Sequence, residues 1–202
     1  MIRILLLLLA FAGVARAETL PALHDVTGVS AGDVLNVRAE PTASALVIAT
    51  LPPDATGIEV VERRGNWGLV NVGEAAGWAY LKYLAPRADA PWFGVTSTLR
   101  CFGNEPFWSL TVAPGAGDVR REEPGEPEIR LKLGAVSGAN GRASIAFGAE
   151  GQPGGDLVLT GARCSDGMSD RQFGIAVTGT LRPGLSGAAE PAQLQGCCSV
   201  KP

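Results

Sequence analysis

The sequence predicts an all-β fold, and three observations carry that prediction. The chain of 202 residues contains 27 glycines and 14 prolines, which interrupt it too often for long helices. No long stretch shows a 3.6-residue apolar period, whereas several short runs alternate apolar and polar side chains. The clearest alternating runs surround Trp108, Ile129, Ile145 and Phe173. Short strands between Gly and Pro turns are typical of small barrels and sandwiches.

The first seventeen residues are typical of a secretory signal peptide. Arg3 supplies a positive start, residues 4–14 form a short apolar run, and residues 15–17 place small side chains at the cleavage positions. The run is too short to span a bilayer comfortably, although an uncleaved membrane anchor is the alternative. We therefore expect cleavage after Ala17 and a periplasmic or secreted protein with no membrane association afterwards.

The charge balance excludes one class of partner. Without Arg3 and Arg16, the 17 basic residues become 15 against 20 acidic ones, so the exported chain carries a net charge of about −5. A nucleic-acid-binding protein needs a basic face against phosphate, so no nucleic-acid partner is expected. Attraction to an anionic membrane or cell wall by charge alone is disfavoured, because the chain itself is acidic.

The cysteines predict disulfide bonds. All four lie in the second half of the chain, at Cys101, Cys164, Cys197 and Cys198, and export makes disulfides the expected state. Of the three possible pairings, the one that joins the adjacent Cys197 and Cys198 is disfavoured by disulfide geometry. Zinc is the alternative, but the chain has no C-x-x-C motif and one histidine. No metal or other cofactor is therefore predicted.

The chain divides into two predicted domains, 18–86 and 98–202, joined by a linker at 87–97. The segment 85–97 carries two prolines and little periodicity, which is typical of a linker. In the first domain, strands are predicted around 33–38, 47–51, 58–61, 67–70 and 77–84, enough to close a small barrel. In the second, 115–128 and 148–156 are predicted to be long loops, with substrate-covering flaps as their functional alternative.

The first domain resembles the bacterial SH3-like (SH3b) family. The resemblance covers nearly all of 22–86, and Glu40 and Asp54-Ala55 depart from it where the family usually has turn glycines. The resemblance implies a non-catalytic module of exported proteins, several of which bind peptidoglycan or its peptides. The matching residues are Asp33-Val34-Leu35-Asn36-Val37-Arg38, Pro41, Val47-Ile48, Leu51, Trp67, Val70, Gly77-Trp78 and Tyr83-Leu84.

Four residues of this domain are candidate ligand contacts. Trp67, Trp78 and Tyr83 offer flat faces to sugar rings and peptide backbone. Their structural alternative is the core, because a small barrel needs large side chains to fill it. Arg38 could pair with a ligand carboxylate, and its structural alternative is a surface arginine.

The second domain resembles a family of bacterial envelope proteins with no assigned chemistry. The resemblance covers about 98–200 and rests on three motifs in order. It implies disulfides Cys164–Cys197 and Cys101–Cys198. The motifs are C-x-G-x-EPFW at 101–108, C-x-DGMSD at 164–170 and the terminal Gly196-Cys197.

A possible acidic pocket is formed by Glu105, Asp166, Asp170 and the neighbouring Arg171. Carboxylates so grouped could hold Ca²⁺, an amine or a basic partner, although the spacing does not match an EF-hand. The alternative is structural. Asp166-Gly167 is a tight-turn signal whose polar neighbours bond their own backbone, and a buried Glu105 would need donors such as Arg171.

No catalytic residue is predicted. The single histidine, His24, is far in sequence from the cysteines, and there is no G-x-S-x-G motif. We expect an exported, non-catalytic binding protein of the bacterial envelope whose SH3-like module binds peptidoglycan peptide or a protein partner. One alternative is an interaction protein or inhibitor of a wall-degrading enzyme such as lysozyme, which is basic. Another is a hydrolase that pairs Glu105 with Asp166 or Asp170.

Overall fold

The computed structural model describes residues 19–105, 107–123, 125–148, 154–185 and 190–202. Strands dominate this part of the chain and fall into two separate sheets, which confirms the predicted all-β class with disulfides. The predicted signal peptide lies outside the described residues. Among the described residues, no helix is long and apolar enough to cross a bilayer.

The first sheet has seven antiparallel strands in the order β3-β2-β6-β5-β4-β1-β7. Described pairings leave β3 and β7 at its two ends, so the sheet is open where a closed barrel was expected. The strands are β1 Ala22–Val26, β2 Leu35–Arg38, β3 Val47–Leu51, β4 Ile58–Arg64, β5 Trp67–Val72, β6 Ala75–Tyr80 and β7 Leu84–Pro86.

A small apolar core holds this sheet together. Leu51 from one end strand and Leu84 from the other belong to the same buried cluster, with Val37, Val60 and Val70 between them. Because both ends of the sheet reach one cluster, the sheet must bend around it. The strand predicted over 77–84 is interrupted by a 3-10 turn, Leu81–Tyr83.

The second sheet is a closed barrel of eight antiparallel strands. Each strand pairs with the next one along the chain, and the last strand, β15, pairs with the first, β8, to close the barrel. The strands are β8 Thr98–Asn104, β9 Phe107–Ala113, β10 Asp118–Arg121, β11 Ile129–Ala139, β12 Arg142–Gly148, β13 Gly154–Cys164, β14 Phe173–Leu181 and β15 Ala192–Lys201.

The barrel interior follows the predicted alternation. Trp108, Leu110 and Val112 of β9 are buried, while Phe107 and Thr111 point the other way and are more exposed. The prediction of one long loop over 115–128 is wrong, because β10 forms within it. Val119 of β10 is fully buried, and an inward apolar side chain with partner strands on both sides explains why this short strand forms. Of the second predicted loop, 149–153 lies outside the described residues.

The segment between the two sheets packs against the barrel. Its 3-10 turn, Trp92–Gly94, places Trp92 in the barrel core at 2 % exposure, and Val95 is buried there as well. Leu23 of β1 joins the same core cluster. Residues from the first sheet and from the predicted linker therefore complete the core of the second.

Polar contacts also join the two sheets. The Asn71 amide donates to the carbonyl of Gln172 at 2.7 Å and accepts from its backbone N–H at 3.0 Å. Glu59 accepts from the backbone N–H of Val200 at 2.7 Å. Desolvation raises the pKa of Glu59 to about 7, although the Val200 N–H and the charge of Lys201 act in the opposite direction. The contact between the sheets is thus specific, and it contains a carboxyl group, that of Glu59, whose pKa lies near neutral pH.

Candidate binding sites

Three aromatic side chains line a groove on the outer face of the first sheet. Trp67 of β5 lies directly opposite Tyr80 of β6, with ring centroids 5.3 Å apart, and Tyr83 follows 6.2 Å from Tyr80. All three rings are partly exposed. The groove, which we call the aromatic groove, has a volume of about 430 Å³. Rings in a row offer successive flat apolar surfaces to an extended ligand.

Polar groups complete the aromatic groove. Asp33, Asn36 and Arg38 line it along the β2 side. Arg38 donates from Nη1 to the carbonyl of Ala45 at 2.7 Å, so its guanidinium is partly committed to holding the neighbouring loop. The Lys82 ammonium lies 5.5 Å from the centre of the Tyr83 ring. The groove therefore combines apolar faces with hydrogen-bonding groups, as ligand sites usually do.

The aromatic groove continues past the Trp67–Tyr80 pair. A shallower concavity of about 620 Å³ shares Trp67 and Tyr80 and extends to Pro41, Arg64 and Asn66. The two rings thus stand between two adjoining concave regions. An extended chain could contact both regions while its middle rests on the pair.

Of the four predicted contacts, the structure brings Arg38, Trp67 and Tyr83 together but covers Trp78. Trp78 is 6 % exposed, and the Arg64 guanidinium lies 4.7 Å above its ring. Sequence reasoning missed Tyr80, which takes its place in the groove. The sequence did indicate Tyr80 as a candidate. Residues two apart on a strand share a face, and Tyr80 follows Trp78 by two.

A second concavity of about 890 Å³ lies on the outside of the barrel, and we call it the barrel groove. Parts of all three sequence motifs meet there. Glu105 and Phe107 come from the corner between β8 and β9, Asp166 and Met168 from the loop after β13, and Cys197 from β15. Neither Glu105 nor Phe107 is buried, and Phe107 is 62 % exposed.

Asp166 organises the wall of the barrel groove. Its Oδ1 accepts from the backbone N–H groups of Met168 and Ser169 at 3.0 and 2.9 Å, and its Oδ2 accepts from the Ser169 hydroxyl at 2.8 Å. Partial desolvation raises the pKa of Asp166, but these hydrogen bonds, aided by the charge of Arg171, outweigh it and lower the pKa. A carboxylate held in its ionised form is a poor general acid, so in a carboxylate pair Asp166 could act only as the base or nucleophile, and Glu105 would have to supply the proton.

The predicted acidic pocket is divided by the fold. Asp170 and Arg171 do not line the barrel groove but face the first sheet. The Asp170 backbone N–H donates to the carbonyl of Glu74 at 3.0 Å, and the Arg171 guanidinium lies 3.6 Å from the Glu74 carboxylate. The described residues include no group of three or more His, Cys, Asp and Glu side chains that could hold a metal ion.

The four cysteines form two disulfides, Cys101–Cys198 and Cys164–Cys197, which is the pairing implied by the resemblance of the second domain. Cys101 and Cys198 face each other across β8 and β15 inside the barrel. Cys164–Cys197 ties the loop after β13 to β15 in the barrel groove. With every cysteine paired, a cysteine nucleophile of the kind used by wall peptidases has no free thiol.

Comparison with known proteins gives no family assignment. No protein-family model and no curated protein sequence matches the chain. The two grooves therefore have to be interpreted from their own geometry and chemistry.

Proposed function

We propose that this protein is an exported, non-catalytic binding protein of the bacterial envelope, whose aromatic groove holds an extended peptide of the cell wall. The observation that carries the proposal is the row of Trp67, Tyr80 and Tyr83 along one open groove. The resemblance of 22–86 to SH3b modules supports the same ligand class. The paired cysteines support an oxidising compartment outside the cytoplasm.

The geometry fits a peptide better than a compact small molecule. The groove and its continuation past Trp67 are open along their length, and together they exceed what a single small ligand would fill. Wall stem peptides carry free carboxylates and amines. Asp33 lines the groove and Arg64 lines its continuation, where the Arg64 side chain is 59 % exposed although it forms an ion pair with Glu62, so both can meet these charges.

The test is co-sedimentation of the mature full-length protein with purified peptidoglycan sacculi. Tyr80→Ser removes the central ring of the row. We expect this variant to bind sacculi with an affinity roughly ten times weaker, so that a smaller fraction pellets. Leu46→Ser is the matched control, because Leu46 is 74 % exposed just before β3 and lines neither the groove nor its continuation. Thermal melting of each variant checks that the fold is intact.

Two outcomes would contradict this proposal. If the parent protein does not pellet with sacculi, wall binding is wrong and a protein partner becomes the leading candidate. If the parent pellets and Tyr80→Ser binds equally well, the wall is the ligand but the aromatic groove is not its site.

A further inference from the structure

We propose that the barrel groove is a second binding site, which receives an extended segment of a partner protein that carries an apolar side chain beside a lysine or arginine. This site is separate from the aromatic groove and does not depend on its function. Its described lining comes entirely from the barrel, at the corner residues 103–105 and 107, the segment 163–168, and the outer faces of β14 and β15.

Exposed apolar side chains mark the rim of the barrel groove. Met168 is 68 % exposed and Phe107 is 62 % exposed; Met168 comes from the loop after β13 and Phe107 from the start of β9. Large apolar side chains gathered at one concavity are uncommon on a monomer surface unless something binds there. Met is well suited to the role, because its flexible thioether adapts to the shape of a partner.

The walls are fixed, so the exposure of these side chains is enforced. The Asn104 amide donates to the carbonyl of Asp166, which joins the corner to the loop. The Asp166 carboxylate fastens the loop internally through the backbone N–H groups of Met168 and Ser169. The Cys164–Cys197 disulfide anchors the same loop to the floor. A site whose walls are already ordered loses little entropy on binding.

The floor determines how a partner can be recognised. The floor strands β8, β14 and β15 each have partner strands on both sides, so their backbone groups are already paired. At Gly103 and Gly196 the two strands approach so closely that a Cβ atom at either position would collide with backbone carbonyl oxygens. A partner therefore cannot add a strand here, and recognition must use side chains.

The charges at the barrel groove favour a positively charged partner. Among the residues that the structure describes, three charged side chains line the barrel groove, and two of them are committed within the protein. Arg163 forms an ion pair with Glu62, and Asp166 is bonded to its own loop. Glu105 remains as an exposed carboxylate at the rim. The chain as a whole has a formal net charge of −3, so its field also favours a cationic partner.

The experiment is an NMR titration of the isotope-labelled mature protein with two capped tetrapeptides. One is Lys-Phe-Leu-Lys, and the other, Glu-Phe-Leu-Glu, keeps the apolar pair and reverses the charge. We expect saturable shifts of the Gly103, Gly167 and Gly196 amides with the basic peptide, and weaker ones with the acidic peptide. Replacing Phe107 and Met168 together by Ser should weaken binding roughly ten-fold. Glu105→Lys should reverse the preference between the peptides.

The control variant is Val158→Ser, since Val158 is 45 % exposed on the barrel wall and does not line the groove. This variant should bind the basic peptide as the parent does. The proposal is overturned if these three glycine amides show no saturable shift up to about 1 mM peptide. It is equally overturned if the shifts appear at Trp67 and Tyr80 instead, or if Val158→Ser weakens binding as much as the double variant.

Discussion

The two sheets use their aromatic residues in opposite ways. In the barrel, Trp92 and Trp108 are buried among aliphatic side chains and fill the interior. In the first sheet, Trp67 and Tyr80 lie outside a small aliphatic core and face a groove. A closed barrel must fill its interior with large side chains, whereas an open, bent sheet fills its core with valines and leucines. Large aromatic residues that the core does not need are then free to bind a ligand.

The largest expected effect concerns the disulfide that closes the barrel. Replacing Cys101 and Cys198 together by Ala removes a cross-link between residues 97 apart, so the free energy of unfolding should fall by about 5 kcal/mol. The other disulfide spans 33 residues, and its Cys164→Ala, Cys197→Ala variant should lose about 4 kcal/mol. Urea denaturation of both variants measures the difference. A larger loss for the shorter loop would contradict this order.

The next effect tests the contrast between the two sets of aromatic residues. Trp108→Ala should destabilise the protein by about 3–5 kcal/mol, since it empties a buried site in the barrel. Trp67→Ala removes a partly exposed ring and should cost only about 1 kcal/mol. Chemical denaturation of both variants under one condition is the measurement. Equal losses would mean that Trp67 is a core residue and that the contrast is wrong.

The smallest effect concerns the contact between the sheets and depends on pH. Because the pKa of Glu59 is about 7 in the folded protein against its usual 4.5, the folded state binds the extra proton between these values. Its contribution to stability is therefore complete below pH 4.5 and is lost as the pH rises to about 7. Glu59→Gln, which keeps the acceptor for the Val200 N–H, should match the parent at pH 4.5 and be about 3 kcal/mol more stable at pH 8.

Denaturation of the parent and of Glu59→Gln across this range checks the prediction. An Asp54→Asn variant serves as the control, because Asp54 is a carboxylate of the first sheet's turns rather than of its contact with the barrel. A stability difference between the parent and Glu59→Gln that does not change with pH would show that Glu59 is not the titrating group.

The alternation of apolar and polar residues predicted the strands that have one buried face, such as β9 and β14, because their apolar residues repeat at every second position. It missed β10, whose four residues include a single buried side chain, Val119. It also assigned Trp92 to a linker, since no local pattern reveals that a side chain fills a barrel assembled from residues far along the chain. Pairing with the strands on either side decides the first case, and the packing of distant residues into one core decides the second; local periodicity reveals neither.

The candidate sites were partly predictable for a similar reason. Three of the predicted contacts could be grouped because the elements that carry them belong to one stretch of the chain. They are Arg38, Trp67 and Tyr83. The separation of Asp166 from Asp170 could not be foreseen, since it depends on a loop that meets the barrel groove at one end and the first sheet at the other. The coverage of Trp78 by Arg64 likewise depends on side-chain conformations, which spacing does not specify.

The contact between Glu59 and Val200 joins residues 141 positions apart, close to the end of the chain. The last strand, β15, also closes the barrel by pairing with β8. The barrel therefore cannot close before β15 is in place, and without it β8 and β14 would each present a row of unpaired backbone groups. Such free strand edges are templates for pairing with other chains, so β15 protects the protein from edge-to-edge aggregation.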